Sequence, residues 1–169
     1  MRRTSIDVAE SADPEAAREA ALKLLDHAQR TRRELSRRLH DRGFEAATVE
    51  GILDRLAAVG LVDNVEYARA WLAGRWGRRA AGWRRLEMEL SQKGVSREDI
   101  SRARAILEQS VGPSNEVETA RRVISQAARR YAGLDPRTRR QRLYAMLARK
   151  GFDSDVIRQA LELKEPQES

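Results

Sequence analysis

Three glycines at regular intervals constrain the fold more than any other feature of this sequence. Gly43, Gly94 and Gly151 are 51 and 57 residues apart. Counted from each glycine, leucine stands at positions −8 and −4, lysine or arginine at −1, an apolar residue at +1, and valine or isoleucine at +6. Self-similarity at a period near 50 residues is typical of arrays in which each supersecondary unit stacks on its neighbours.

The residues around each glycine predict a helix, a tight turn and a second helix. In the first repeat, Leu35 and Leu39 are four residues apart and so share one face of a helix. Glycine accepts the left-handed conformation that ends a helix, and the apolar residue after it can fold back on the last turn. Val49 and Ile52 then begin the buried stripe of the next helix.

Helix-start signals divide the chain into nine helices. Asp13-Pro14 is typical of a capped helix start, and Thr31 with Glu34 forms a capping box. Few runs are rich in Val, Ile and Tyr, so we expect an all-α fold with almost no strand. Stacking of the repeats predicts an elongated, curved array. The expected segments are a flexible tail at 1–12, three-helix repeats at 13–60, 61–112 and 113–163, and a C-terminal tail at 164–169.

The charge balance favours an anionic partner. Lysine and arginine number 33 against 26 acidic residues, which gives a net charge of +7 and a pI of about 10.5. Such a balance suits nucleic acid or an acidic protein surface. In the alternative interpretation, the arginine content reflects genome base composition and the charges only solvate helix faces. Composition alone leaves both interpretations open.

Several classes of site have no support in the sequence. The absence of cysteine excludes disulfides, cysteine-ligated zinc and a thiol nucleophile. His27 and His40 lack metalloprotease spacing, no GxxxxGK[ST] phosphate loop occurs, and no carboxylate pair suggests acid–base catalysis. No apolar run reaches the ~20 residues of a membrane span, and no signal-peptide core follows the N-terminus. We therefore expect a cytoplasmic protein, monomeric because an open array needs no partner to close it, without catalytic residues, metal or cofactor.

Several motifs resemble those of one family. They are RTRREL at 30–35, RGF at 42–44, ILDRL at 52–56, GLVDN at 60–64, YARAW at 67–71 and ELSQKGV at 89–95. These stretches resemble the RecX family, bacterial regulators of the RecA recombinase, and the resemblance runs from about Pro14 to Leu163. Two positions depart from the family pattern. Asp63-Asn64 stands where two acids are frequent, and Thr31 stands where serine is frequent; both substitutes can cap a helix.

The resemblance implies a non-enzymatic regulator acting in DNA repair, homologous recombination and the SOS response. RecX-like proteins consist of three tandem three-helix repeats and bind the groove of the RecA–DNA filament. They limit filament growth or promote disassembly, and so suppress strand exchange, ATP hydrolysis and coprotease activity. Expected partners are the RecA filament and single- and double-stranded DNA, bound weakly without sequence specificity. One alternative is a general helical module for the phosphate backbone; an enzyme is a third hypothesis, which no residue constellation supports.

Three arginine clusters are candidates for binding. Cluster one, at 75–85, has five arginines, two tryptophans and no acid; cluster two, at 129–142, has six arginines and one acid; cluster three, at 32–42, is diluted by Glu34 and Asp41. Arginine pairs with phosphate or carboxylate, and tryptophan can stack on a base. Alternatively, the tryptophans pack between repeats while the arginines extend into water. We predict that clusters one and two form one concave interface for the filament or its DNA, consisting of Arg75, Trp76, Arg78, Arg79, Trp83, Arg84, Arg85, Arg129, Arg130, Arg137, Arg139, Arg140 and Arg142.

Overall fold

The predicted all-α class is confirmed by a computed structural model that describes residues 11–75, 81–111 and 116–162. Within these ranges the chain forms nine α-helices, one 3-10 helix at Ala128–Tyr131, and no strand. The α-helices are α1 (Pro14–His27), α2 (Arg32–His40), α3 (Ala46–Ala58), α4 (Asn64–Arg75), α5 (Trp83–Gln92), α6 (Arg97–Val111), α7 (Glu116–Ala127), α8 (Pro136–Arg149) and α9 (Ser154–Glu162).

The helix caps predicted at Asp13 and Thr31 are present, and Asp135 caps α8 as well. The carboxylates of Asp13 and Asp135 accept hydrogen bonds from the backbone amides of Glu15 and Thr138, at 2.9 and 3.0 Å. The hydroxyl of Thr31 accepts from the amide of Glu34 at 3.1 Å. The return half of the capping box predicted there is replaced, because the Glu34 carboxylate pairs with Arg30 at 2.6 Å instead. Short-range side-chain chemistry therefore sets where these helices begin.

The three glycine turns have one backbone geometry. Gly43, Gly94 and Gly151 have φ values of 103°, 84° and 86°, the left-handed conformation that favours glycine. In each turn the amide of the following apolar residue donates to the carbonyl of the leucine at −4, at 3.2 Å. That apolar residue is buried in all three cases. The repeat seen in the sequence is thus a repeat of structure.

The chain folds into two compact units. One comprises the residues up to Ala70 together with Leu90–Ala103, and the other comprises Trp71–Glu89 together with the residues from Arg104 onward. In the first unit, α1, α2 and α3 enclose a core that includes Leu35, Leu39 and Ile52. In the second, α7, α8 and α9 enclose an equivalent core around Leu143 and Phe152. Helices α4, α5 and α6 each have residues in both units, so the domain boundaries expected from the sequence remain a proposal.

Within the first unit, the start of α2 packs on the turn that follows α5. The Thr31 hydroxyl donates to the carbonyl of Lys93 at 2.7 Å, and an Arg33 Nη2 donates to the carbonyl of Gln92 at 2.6 Å. A Cβ placed on Gly94 would lie 2.5 Å from the Cβ of Arg33. The carbonyls left over at the end of one helix are therefore satisfied by the beginning of another.

Within the second unit, the start of α5 packs on the turn that follows α8, here through backbone amides rather than side chains. The amide of Gly82 donates to the carbonyl of Lys150 at 2.9 Å, and the amide of Arg84 donates to the carbonyl of Gly151 at 3.2 Å. A Cβ on Gly82 would lie 2.3 Å from the oxygen of Gly151. We call this arrangement the repeat joint: the second helix of one repeat begins on the glycine turn of the next.

Helix α8 begins differently from its two counterparts. Helices α2 and α5 have 9 and 10 residues and start 11 positions before their turn glycine, whereas α8 has 14 residues and starts 15 positions before Gly151. Position −12 is therefore inside α8, where the amide of Arg139 donates to the carbonyl of Asp135 at 2.9 Å. The backbone amide at position −12 bonds the neighbouring glycine turn in the case of Gly82, but in α8 it bonds a carbonyl at the start of its own helix.

Candidate functional site

Part of cluster one lies outside the described residues. This applies to Trp76, Arg78 and Arg79. The remaining residues of the cluster, Arg75, Trp83, Arg84 and Arg85, belong to the second unit.

Trp83 is part of the core. It is 2% exposed, and the guanidinium carbon of Arg104 lies 4.2 Å from its ring centroid. Its amide donates to a carboxylate oxygen of Glu116 at 2.9 Å. The ring is therefore buried within the second unit and has no free face for a base. We remove Trp83 from the predicted interface.

The Glu116 carboxylate that caps α5 sits in an unfavourable place for a charge. Burial raises its pKa above the ordinary value, partly offset by the hydrogen bond from Trp83 and by Arg104; nearby Asp153 and Glu87 raise it further. The helix start at Trp83 thus depends on a half-buried acid from α7.

The described arginines of cluster one have partners within the chain. The guanidinium of Arg75 lies 4.0 Å from the ring centroid of Trp71. The Nε atoms of Arg84 and Arg85 lie 3.4 and 3.2 Å from carboxylate oxygens of Asp153 and Glu89. The ion pairs of Arg84 and Arg85 are largely solvent-exposed and contribute little stability. They nevertheless place an acid beside each of these two arginines.

Cluster three is also a network of internal contacts. Arg32 pairs with Glu50 and Asp54 at 2.6 and 2.7 Å, and the hydrogen bond to Glu50 is the main reason that the pKa of Arg32 is raised. Arg38 pairs with Glu34 at 3.3 Å, and Arg42 donates to the carbonyl of Ala20 at 3.3 Å. Arg32 is thus paired with acids of α3 and Arg38 with an acid of its own helix, whereas Arg33 and Arg42 donate to backbone carbonyls.

Cluster two differs from both. Its members are exposed, and its side chains, apart from that of Arg139, form no ion pair or hydrogen bond with a described residue. Arg139 instead donates to the carbonyls of Ala132 and Leu134 at 3.2 and 3.1 Å, which fixes the loop before α8. Within cluster two, the arginines whose side chains have no polar partner in the described chain are Arg129, Arg130, Arg137, Arg140 and Arg142.

One face of α8 combines two of these cations with an aromatic ring. Arg137, Arg140, Gln141 and Tyr144 follow the spacing i, i+3, i+4 and i+7 and line an open pocket of about 320 Å³. The Tyr144 side chain is 39% exposed. We call these four residues the α8 basic face. Tyr144 was not among the binding residues predicted from the sequence, although its spacing from Arg137 and from the inward leucines contained the signal.

Metal sites and membrane-spanning helices are absent from the described part of the chain. It holds no group of three or more His, Cys, Asp or Glu residues arranged to bind a metal ion. None of its described helices combines the length and the apolar character needed to cross a bilayer.

Comparisons with known proteins give a consistent result. Models of the first, second and third three-helix domains of RecX match residues 17–56, 63–103 and 114–161. "Regulatory protein RecX" of Streptomyces coelicolor is 38% identical over 168 residues, covering 94% of this chain and 87% of that protein. The Thermobifida fusca protein of the same name is 36% identical over 150 residues, covering 86% and 79%.

Solved structures of similar proteins have the same fold. The crystal structure of RecX from Lactobacillus salivarius matches with a TM-score of 0.80 at 22% identity, covering 92% of this chain and 97% of that one. A second crystal structure, of a regulatory protein RecX, matches with a TM-score of 0.78 at 25% identity, covering 96% and 82%.

Proposed function

The chain belongs to the RecX family of regulatory proteins, and on that premise we propose that it binds the RecA–DNA filament and inhibits RecA without catalysing a reaction. It binds along the filament groove, limits growth or promotes disassembly, and thereby lowers strand exchange, ATP hydrolysis and coprotease activity. In this role the protein acts as a monomer in the cytoplasm, where RecA is found.

The observation that carries this proposal is the uncompensated charge of cluster two. Five arginines there have no counter-ion among the described residues, whereas cluster three and the described part of cluster one hold their cations largely in internal contacts. Unpaired arginines favour an anionic partner, since they lose no existing ion pair on binding. A filament offers both DNA phosphates and protein carboxylates.

Binding alone is sufficient for regulation under one thermodynamic condition. A ligand shifts an equilibrium only by its difference in affinity for the two states. A 100-fold preference for a stalled or shortened filament over a growing one corresponds to about 2.7 kcal/mol. A few arginine contacts of ~1.5–3 kcal/mol each are enough to supply that difference.

The test is the RecA ATPase on single-stranded DNA at rising amounts of the purified protein. We expect the rate to fall, and we expect the double charge reversal R137E/R140E to restore most of it. The matched control is R55E/R97E, which reverses two exposed arginines outside the clusters that have no ion partner in the described chain. An ATPase rate that is indifferent to the wild-type protein would refute the proposal.

The same unpaired arginines also fit the alternative function, a general module for the phosphate backbone. A pulldown of RecA with and without single-stranded DNA separates the two. Steep salt dependence on bare DNA, with no effect of RecA on binding, would favour the alternative, because counterion release governs purely electrostatic binding.

A further inference from the structure

The residue 11 positions before the turn glycine is covered in two repeats and open in the third. In the first repeat it is Arg32, which pairs with Glu50 and Asp54 of α3. In the second it is Trp83, which lies against Arg104 of α6. In the third it is Arg140, which is exposed and has no ion partner in the described chain.

The third repeat differs from the first in the charge at one of the two counter-ion positions, and the acid at the other does not reach Arg140. Glu50 and Asp54 stand 7 and 11 positions after Gly43, and the residues at the same distances from Gly151 are Arg158 and Glu162. Arg158 pairs with Asp155 on its own helix. Glu162 forms no ion pair with Arg140. A glutamate that would neutralise the site is thus replaced by a further cation.

The neighbours of Arg140 complete a binding surface. Arg137 lies on the extra first turn of α8, and Tyr144 lies one turn further along the same face, above an open pocket of about 320 Å³. The helix is held in place by buried Leu143 and Leu147, which flank this face, and by the Asp135 cap. The guanidinium groups and the ring are therefore presented by a rigid element, which lowers the entropic cost of binding.

We propose that the α8 basic face binds single-stranded DNA, with backbone phosphates on Arg137 and Arg140 and a base stacked on Tyr144. The exposed ring favours a single strand over an acidic protein surface or a duplex. Unpaired bases offer a free π-face to an aromatic side chain, whereas carboxylates do not and paired bases are already stacked on one another. This inference deepens the proposed function and rests on it for its role in RecA regulation.

The experiment measures binding of the full chain to fluorescein-labelled oligothymidine and to a duplex of the same length by anisotropy. We expect Tyr144→Ala to weaken single-strand binding by about 10-fold, since stacking on one base contributes ~1–3 kcal/mol, and to leave duplex binding nearly unchanged. Tyr144→Phe should bind like the wild type because it retains the ring. Arg140→Gln should weaken binding to both DNAs and reduce the salt slope by ~1, whereas Arg55→Gln should have a much smaller effect.

Two results would overturn the inference. In one, Tyr144→Ala binds the single strand as tightly as Tyr144→Phe does, with equal helical content by circular dichroism. In the other, Tyr144→Ala and Arg140→Gln both bind DNA normally but no longer inhibit RecA, which would assign the face to a protein partner. If the variants lose DNA binding as expected while wild-type protein leaves the RecA ATPase unchanged, the DNA site stands and the proposed function fails.

Discussion

Gly82→Ala tests the repeat joint directly. An added Cβ would lie 2.3 Å from the oxygen of Gly151 and 2.5 Å from the amide nitrogen of Phe152. Both neighbours are backbone atoms, so they cannot move aside as a flexible side chain would. The strain falls on the close approach itself, since Gly82 is not among the glycines with a positive φ.

The expected cost follows from what must separate. The substitution stretches the hydrogen bonds from Gly82 to Lys150 and from Arg84 to Gly151, which are 2.9 and 3.2 Å long. Each contributes about 1 kcal/mol net, and overpacking of a tight site adds ~1–3 kcal/mol. We expect the free energy of unfolding to fall by roughly 3–5 kcal/mol, which corresponds to a melting temperature lower by ~6–20 °C for a chain of this size.

Two probes make the measurement specific. Trp71 and Trp83 are in the second unit. Fluorescence therefore follows the second unit, whereas circular dichroism at 222 nm follows all helices. The control is Gly51→Ala in α3, where an added Cβ meets nothing within 4 Å and should stabilise by ~0.5–1 kcal/mol. A Gly82→Ala protein whose fluorescence transition matches that of the wild type would refute the joint as described.

Three further predictions concern single side chains. Thr31→Val should lower the free energy of unfolding by about 2–4 kcal/mol, because it removes a helix cap and leaves the Lys93 carbonyl without its donor; Thr31→Ser, which keeps the hydroxyl, should cost less than half as much in urea titrations. Glu116→Gln should be more stable than the wild type at neutral pH. The folded-state pKa of Glu116 is raised, so the contribution of this group to stability is complete below the ordinary pKa of 4.5 and is lost as pH rises through the folded-state value. The stability gained by Glu116→Gln over the wild type should therefore shrink in thermal melts taken as pH falls towards 4.5. A gain in stability that does not depend on pH would contradict this account. Arg139→Gln should destabilise the protein by roughly 1 kcal/mol through loss of its bonds to the loop carbonyls, yet reduce DNA affinity less than Arg140→Gln does; the reverse ranking in anisotropy would count against the assigned roles.

The structural features that could be predicted from the sequence are those decided by residues close together along the chain. The caps at Asp13 and Thr31 and the glycine turns were all predictable, because each is decided by side chains and backbone angles within a few positions. The match of the turn at Gly43 with those at Gly94 and Gly151 follows from the same local rules.

The candidate site was less predictable because partners come from distant positions. The density of arginine along the sequence favoured both Arg75–Arg85 and Arg129–Arg142 as binding residues. It could not show that Trp83 lies against Arg104, or that its amide bonds Glu116, which is 33 residues away. Arg32 likewise finds its counter-ion 18 residues along the chain. Whether an arginine is available to a ligand depends on these tertiary contacts, which clustering alone does not reveal.

The extra turn of α8 limits how this gene can lengthen. A fourth copy of the repeat, added after the third by tandem duplication, would have to place its glycine turn on the start of α8. There the amide of Arg139, equivalent to the Gly82 amide that bonds Lys150, already bonds the carbonyl of Asp135, so the backbone contact of the Gly82 joint could not form without removing the extra turn. Copying a middle repeat would instead reproduce a start that works. Evolutionary change in copy number should therefore occur inside the series and leave its last member in place.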